Sequence, residues 1–236
     1  MLSVVSVGSL KTSGSSTLAL TIASVAAAAD IPVLVVDAAR DGDLSAWAGR
    51  AGHPARIAVE RCRDEATMER LVRAARKRGD LVVIDAGDEA ATIRGAARLA
   101  DRALIPVRFS PVSATYAVAT ERLLAEDFGR GRRGRDWCFV ASAVATIPSR
   151  IARSVEAIVE ASPAARLPIG LVQRAAYEAP FLFGGTIFTL EEEVAPGLDR
   201  ARAEAASLAF AIGILGPRAA DRPAAATTHA PTAVAA

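Results

Sequence analysis

The stretch from Val4 to Ala23 constrains the fold of this chain more than any other. Residues 4–7 are an apolar run that predicts a buried strand, and Thr17 opens a segment with apolar residues at helical spacing. A loop of glycine, serine, threonine, one leucine and one lysine joins them. The first backbone N–H groups of a helix lack partners and carry partial positive charge. A strand, a loop of small residues and a helix start therefore predict a phosphate site.

The loop departs from the common phosphate-binding pattern G-x-x-x-x-G-K-[ST], in which a lysine directly precedes the Ser or Thr. The position of that lysine falls on Ser15, or on Ser16 when the loop is aligned without a gap. Lys11 is the one cation near the loop, and lysine otherwise occurs only at Lys77. Two interpretations of Lys11 remain open, a nucleotide contact and an exposed loop lysine.

Apolar runs and helical segments alternate through most of the chain. Strands are predicted at residues 4–7, 33–36, 57–60, 81–84, 103–107, 139–144 and 169–172. Helices are predicted at residues 17–29, 44–51, 65–78, 90–100, 113–128, 150–161 and 199–214. Continuously apolar strands are typical of a parallel sheet covered on both faces. We therefore predict one α/β domain over residues 1–215, a doubly wound, mostly parallel sheet with helices on both faces.

Two of the apolar strands end in aspartate. Asp37 follows residues 33–36, and Asp85 follows residues 81–84. Ligands of such sheets bind at the carboxyl ends of the strands, where the phosphate-type loop also lies. The two carboxylates are therefore candidates for a magnesium site. The alternative interpretation is that each aspartate caps the turn that follows it.

Composition narrows the functional classes. The 236 residues are 52% hydrophobic, enough for one sizeable core, and 28 basic against 26 acidic residues predict no strong global attraction to nucleic acid or to a membrane. The two cysteines and two histidines lack metal-site spacing, so neither a zinc site nor a Cys/His catalytic pair is predicted. Without an evident signal peptide or about 20 continuous apolar residues, we expect a cytoplasmic protein.

Two segments differ in composition from the rest of the chain. Residues 129–136, G-R-G-R-R-G-R-D, are the densest basic run. This run is either a solvated loop or a place where DNA phosphates are neutralised. Residues 216–236 are rich in Ala, Pro and Thr without periodicity, and we predict a disordered tail there.

Further segments carry a resemblance to a known family. Residues 100–111, A-D-R-A-L-I-P-V-R-F-S-P, resemble the A-D-x-x-L-I-P-V-x-x-S-P segment of ParA-type partition ATPases. Residues 173–179, Q-R-A-A-Y-E-A, and the following G-G-T-I-F at 184–188 are similar to that family's Q-R-x-A-Y-x-x-A and G-x-T-[IV]-F segments. With the loop and the two strand-end aspartates, this ordered set covers roughly residues 3–213. The chain thus resembles the ParA/MinD-type P-loop NTPases.

The resemblance implies a set of functional properties. ATP and magnesium would be the cofactors, and the protein would form a face-to-face homodimer. The ATP-bound dimer would bind DNA non-specifically, and a ParB-like or cargo-adaptor protein would stimulate hydrolysis. The process would be plasmid or chromosome partition, or the positioning of another cargo. The C-terminal membrane-targeting helix of MinD-like relatives is not seen in residues 216–236, so no membrane partner is expected.

The family's deviant Walker A motif, K-G-G-x-G-K-[ST], transfers unevenly to the loop. Lys11 matches the signature lysine, which in the family reaches the partner's nucleotide. Thr12 and Ser13 replace the two glycines, and Gly14 matches the later glycine if the loop is one residue shorter. By this resemblance, these residues belong to the nucleotide-binding loop.

At the end of the motif, this chain lacks the family's second lysine. Ser15 stands in the place of that lysine, whereas Ser16 matches the magnesium-ligating Ser/Thr and has Thr17 beside it. Asp37 matches the first acid of the family's D-x-D, and Asp85 matches the Walker B aspartate that holds magnesium through water. The resemblance thus implies nucleotide binding by residues 11–17 and magnesium binding by Ser16, Asp37 and Asp85.

The second acid of the D-x-D is replaced by Ala39. A charged hydrogen bond to phosphate contributes about 1.5–3 kcal/mol, so loss of the lysine predicts roughly 10- to 100-fold weaker ATP binding. Weak or absent hydrolysis follows from both losses, unless Asp41 or Asp43 replaces the acid. Two alternatives remain: a non-catalytic pseudo-NTPase that acts as a DNA-binding or protein-docking dimer, and an active ATPase that uses Lys11 in an unusual way.

Three arginines lie in segments that resemble the family's DNA-binding side. They are Arg150, Arg153 and Arg174. The resemblance implies that these side chains contact DNA.

Overall fold

The computed structural model describes residues 2–11, 14–129 and 136–216. The strands are β1 (Val4–Gly8), β2 (Val33–Asp37), β3 (Ile57–Arg61), β4 (Leu81–Gly87), β5 (Arg102–Val107), β6 (Asp136–Ala141) and β7 (Ala165–Arg166). They form one sheet in the order β3-β2-β4-β1-β5-β6-β7. Every pairing in it is parallel. The predicted parallel α/β sheet is confirmed.

Eight helices connect and cover these strands in the described residues. They are α1 (Ser15–Ala28), α2 (Asp43–Ala48), α3 (Glu65–Arg78), α4 (Ala90–Leu99), α5 (Pro111–Phe128), α6 (Arg150–Glu160), α7 (Ala175–Phe183) and α8 (Leu198–Ile212). The buried residues of α1, α2, α7 and α8 form one core, and those of α3 to α6 form a second. Helices therefore cover both faces of the sheet, as predicted.

The strands show why both faces are covered. In β2, Val33 and Val35 belong to the first core, whereas Leu34 and Val36 belong to the second. Successive side chains of a strand point to opposite faces, so a strand that is apolar at every position needs a core on each side. No described helix combines the length and the apolar character needed to cross a bilayer.

The structure corrects some predicted boundaries. Helix α1 begins at Ser15 rather than Thr17, and β6 ends at Ala141 rather than at residue 144. Residues 169–172 do not form the predicted strand; they contribute the single bridge between Val144 and Val172, and β7 is Ala165–Arg166. The N–H of Leu167 bonds to the Phe139 carbonyl, but the next bond to β6 comes only from Leu171 to Ala141, so extra residues of this segment stand between the two bonds and break the ladder.

Helix α7 was not predicted. Pro180 lies inside it, and a proline is normally taken as a break in helical periodicity. Thr12, Ser13, the basic segment 130–135 and the tail from residue 217 lie outside the described residues. The predictions that concern them stay predictions.

Candidate phosphate and magnesium site

The site lies where the central strands end. Strand β4 lies between β1 and β2, and the register places Asp85 beside both Val7 and Asp37. The loops that follow β1, β2, β4 and β5 therefore meet at one edge of the sheet. Ligands of doubly wound sheets bind at this edge.

The start of α1 is open to an anion. Gly14 precedes the helix with φ 86° and ψ 33°, a left-handed conformation that favours glycine, and no side chain caps this helix end. The N–H of Leu18 bonds to the Gly14 carbonyl at 2.9 Å, so the helix is well formed from its first turn. Ser15, Ser16 and Thr17 follow directly and supply the first N–H groups of the helix.

A cleft of about 210 Å³ opens beside this helix start. Its lining consists of Gly14, Ser15, Ser16, Thr17, Ala39, Arg40, Asp41, Asp43, Gly87, Asp88 and Arg108. The structure thus brings the described end of the predicted nucleotide loop together with the loops after β2, β4 and β5. Three aspartates and two arginines are among the lining residues, so a phosphate here meets charges of both signs.

Asp85 is fully buried beneath this site. Its Oδ1 accepts the N–H of Gly87 at 3.2 Å, and its Oδ2 has no hydrogen-bond partner among the described residues. Burial raises the pKa of Asp85 to about 6, a hydrogen bond from the Ser16 side chain opposes the rise, and the charges of Asp37 and Asp43 add to it. An unpartnered buried carboxylate oxygen beside a serine hydroxyl is the chemistry that a hydrated magnesium ion satisfies.

Magnesium would need further oxygen ligands here. The described residues contain no group of three or more His, Cys, Asp or Glu side chains that could hold a metal by themselves. Magnesium commonly keeps several waters and binds through one or two carboxylates together with substrate phosphates. Ser16 and Asp85 fit that pattern and no protein-only cage is required.

Asp37 is also fully buried, but its carboxylate is occupied. Its Oδ2 accepts the N–H of Ser45 at 2.8 Å and the Ser45 hydroxyl at 2.6 Å, and its Oδ1 accepts Nη1 of Arg61 at 3.1 Å. These contacts match the capping interpretation, because Asp37 holds the first turn of α2. A magnesium contact by Asp37 stays a prediction.

Sequence analysis missed Arg61, which holds the loop after β2. Its guanidinium donates to the carbonyls of Asp37 and Arg40 at 2.8 Å each, and also to that of Ala39. Arg61 lies opposite Asp37 in the register of β3 and β2. The one signal available in the sequence was its position at the end of a short strand.

Ala39, which the resemblance aligns with the second acid of the D-x-D, is buried. A Cβ added to Gly87 would lie 2.9 Å from the Cβ of Ala39, so the loops after β2 and β4 pack closely there. Asp41 and Asp43, the two candidate replacements, both line the cleft. Asp41 also forms an exposed ion pair with Arg40 at 3.6 Å.

Lys11 is exposed and lies over helix α5. Its Nζ is 5.8 Å from the centroid of the Tyr116 ring, and the neighbouring Leu10 donates its N–H to Thr120 Oγ1 at 3.0 Å. Lys11 does not line the 210 Å³ cleft of its own chain. Its assignment as a nucleotide contact stays a prediction.

Arg108 is a second residue that sequence analysis did not single out. It follows β5 directly, at one of the four variable positions of the 100–111 segment, and it lines the 210 Å³ cleft. It also lines an adjacent cavity of about 300 Å³, together with Phe109, Pro148, Gln173 and Glu178. The two cavities share Arg108 in their linings.

The three candidate DNA arginines differ in their surroundings. Arg150 and Arg153 are exposed on α6. Arg174 instead forms a half-buried ion pair with Glu204, whose Oε2 also accepts the Tyr177 hydroxyl at 3.1 Å. Burial opposes ionisation of Glu204, but the bond and charge of Arg174 outweigh it and lower the pKa of that carboxyl. DNA binding by any of the three stays a prediction.

The sheet order, the glycine-led start of α1 and the buried strand-end aspartate define a P-loop NTPase-like fold of the ParA/MinD type. No protein-family model matches the sequence, and no curated protein matches it either. The likeness is to solved structures, which share 10–18% identity with this chain in the three cases that follow. At such identity the comparison establishes the fold.

Three solved structures illustrate the likeness. The cell division protein MinD from Aquifex aeolicus superposes with a TM-score of 0.67 and 18% identity, over 91% of this chain and 98% of that one. An ATP complex of McdA from Cyanothece has a TM-score of 0.67 and 15% identity, over 92% and 98%. A putative plasmid partition protein from Borrelia burgdorferi B31 bound to AMPPNP has a TM-score of 0.64 and 10% identity, over 90% and 100%.

Proposed function

We propose that this chain is a ParA-like partition or positioning protein for a plasmid, a chromosome or another cargo, with a weakened ATP site. The observation that carries the proposal is the pairing of an uncapped α1 start with Asp85, whose buried Oδ2 has no partner in the described residues. The start of α1 suits a phosphate group, and the Asp85 carboxylate suits a magnesium ion. Structural neighbours with bound ATP and AMPPNP support the choice of nucleotide.

The expected weakening of ATP binding follows from Ser15. This residue lines the cleft at the first position of α1, where the family's second lysine would place a positive charge. A serine hydroxyl can bond to phosphate but adds no charge. Loss of one charged hydrogen bond corresponds to roughly 10- to 100-fold weaker ATP binding.

Hydrolysis is expected to be weak or absent for a second reason. Ala39 provides no carboxylate to orient the attacking water, and phosphoryl transfer depends on positioning and electrostatics. Asp43 lines the cleft and is the better placed of the two possible replacements, since Asp41 is paired with Arg40. Turnover that disappears in Asp43→Asn would assign this role to Asp43.

The remaining parts of the proposal come from the family resemblance. The protein would act in the cytoplasm as a homodimer, bind DNA non-specifically, and respond to a ParB-like or cargo-adaptor protein. Arg150 and Arg153 support a DNA contact because both are exposed on one helix. Their phosphate contacts would be sensitive to salt.

The test is a calorimetric titration of the purified protein with ATP and magnesium. Micromolar to millimolar binding that is lost in Asp85→Ala and requires magnesium supports the proposal. Lys11→Ala separates two possibilities: loss of affinity means that Lys11 contacts phosphate, and unchanged affinity with loss of dimerisation means that it acts across the dimer. No binding by the wild-type protein at millimolar ATP would contradict the proposed nucleotide site.

A non-catalytic pseudo-NTPase that acts as a DNA-binding or protein-docking dimer is the second candidate. It is favoured by Asp37, whose carboxylate is engaged by Ser45 and Arg61 rather than left open to a ligand. This candidate predicts that dimerisation and DNA binding are the same with and without ATP. Sedimentation and DNA-binding measurements under both conditions distinguish the two functions.

A further inference from the structure

Gly14 and residues 15–17, which form the start of α1, bring no positive charge to the proposed nucleotide site. Asp41, Asp43 and Asp88 line the cleft, and Ser15 leaves the usual lysine position neutral. A magnesium ion held near Asp85 offsets part of the phosphate charge. A second cation is still needed, because several like charges in one partly enclosed cleft repel one another strongly.

Two of the nearby cations are engaged elsewhere. The Nζ of Lys11 lies 5.8 Å from the Tyr116 ring centroid, away from the cleft lining. The guanidinium of Arg61 bonds to Asp37 and to the loop carbonyls beyond it. Neither of these two side chains lines the cleft.

The two arginines that line the cleft differ in their partners. Arg40 is paired with Asp41 at 3.6 Å. Arg108 has a backbone fixed by the bond from its N–H to Ser113 Oγ at 2.9 Å, and its exposed guanidinium has no ion pair within the described part of the chain. Arg108 is therefore a free cation on a well-anchored backbone.

We propose that Arg108 is the phosphate-binding cation of this site and replaces, from the end of β5, the lysine that the loop has lost. This inference rests on the proposed function. A guanidinium binds two phosphate oxygens at once, a geometry that an ammonium group cannot offer. Arg108 also borders the 300 Å³ cavity, which gives room for the nucleoside part of a di- or triphosphate.

The experiment measures MgATP and MgADP affinity by titration calorimetry for the wild type, Arg108→Ala and Arg108→Lys. We expect Arg108→Ala to bind at least 10-fold more weakly, as for the loss of a charged hydrogen bond. Arg108→Lys should be intermediate, because it keeps the charge and loses the two-point contact. Arg200→Ala, an exposed arginine in the first turn of α8, is the matched control and should bind as the wild type does.

A rescue variant makes the test sharper. Ser15→Lys in the Arg108→Ala background restores a lysine at the first position of α1, and we expect it to recover at least part of the lost affinity. Thermal unfolding of each variant verifies that it is folded.

Two outcomes would count against the proposal in different ways. Wild-type binding with Arg108→Ala within twofold of it, or equal losses in Arg108→Ala and Arg200→Ala, would overturn the role of Arg108 and leave the proposed function in place. Absence of nucleotide binding by the wild type would overturn both.

Discussion

Asp37 and Asp85 stand side by side in the register of β2 and β4, and they are bonded in different ways. Asp37 has partners on both carboxylate oxygens, whereas Asp85 Oδ2 has none among the described residues. One of these two neighbouring acids therefore holds the turn that follows its strand, whereas the other keeps one oxygen without a partner in the described residues. The division depends on Arg61 and Ser45, which come from β3 and α2.

Replacing Asp85 by asparagine should stabilise the fold at neutral pH. Burial raises the pKa of Asp85 from an ordinary 3.8 to about 6, so its charged form is disfavoured in the native state. Ionisation of Asp85 therefore lowers the free energy of unfolding. This loss is absent below the unfolded pKa near 3.8, grows as pH rises, and is complete above about pH 6. Urea unfolding at pH 7.5 should show Asp85→Asn to be more stable by up to about 3 kcal/mol.

The same comparison at pH 4 should show a difference of only about 0.5 kcal/mol, because most of the penalty develops between pH 4 and pH 6. Asp41→Asn, an exposed position on the same cleft, is the control and should change stability by less than about 0.5 kcal/mol. A stability difference that stays constant between pH 4 and 7.5 would contradict the raised pKa of Asp85.

Removing the Arg61 guanidinium should lower the free energy of unfolding. Arg61→Ala leaves the buried Asp37 carboxylate without its charged partner and frees the loop carbonyls that the guanidinium holds. We expect a loss of about 2–4 kcal/mol in the free energy of unfolding. The neighbouring, exposed Arg63 is the matched control. If Arg61→Ala and Arg63→Ala unfold at the same urea concentration, the pairing contributes nothing to stability.

Glycine at position 87 should be needed for two separable reasons. Its φ of 61° is strained for any residue with a side chain, and an added Cβ would lie 2.9 Å from the Cβ of Ala39. Gly79→Ala tests the first reason alone, because Gly79 has a φ of 81° and no atom within 4 Å of an added Cβ. We expect about 1 kcal/mol for Gly79→Ala and about 2–4 kcal/mol for Gly87→Ala, by urea unfolding. Equal losses of unfolding free energy in the two variants would show that the loops after β2 and β4 move apart easily.

The arginines assigned to DNA should separate into two classes. Arg150→Ala and Arg153→Ala remove exposed charges, so we expect weaker, salt-dependent DNA binding with stability unchanged. Arg174→Ala breaks the half-buried pair with Glu204, so we expect a stability loss of about 1–3 kcal/mol. Fluorescence anisotropy with labelled DNA and thermal unfolding measure the two effects. Reduced DNA affinity of Arg174→Ala at full stability would restore it as a DNA contact.

Periodicity and spacing in the sequence were sufficient to predict the sheet and the edge at which the candidate site lies. The apolar runs at β1, β2 and β4 can be satisfied only by a sheet with a core on each face. The small-residue loop before α1 and the aspartates at the strand ends then lie at one edge, since parallel strands end on the same side. The short β7 and α7 escaped prediction because Pro168 and Pro180 interrupt the local pattern.

The tertiary structure decided what each charged group does. In the sequence, Asp37 and Asp85 occupy equivalent positions, and Arg61 and Arg108 look like any other arginine. Only the folded chain brings Arg61 to Asp37 and Arg108 to the cleft, and leaves Asp85 Oδ2 without a partner in the part of the chain that the structure describes. The physical reason is that burial and hydrogen bonding set the role of a charge, and both depend on residues that are distant in sequence.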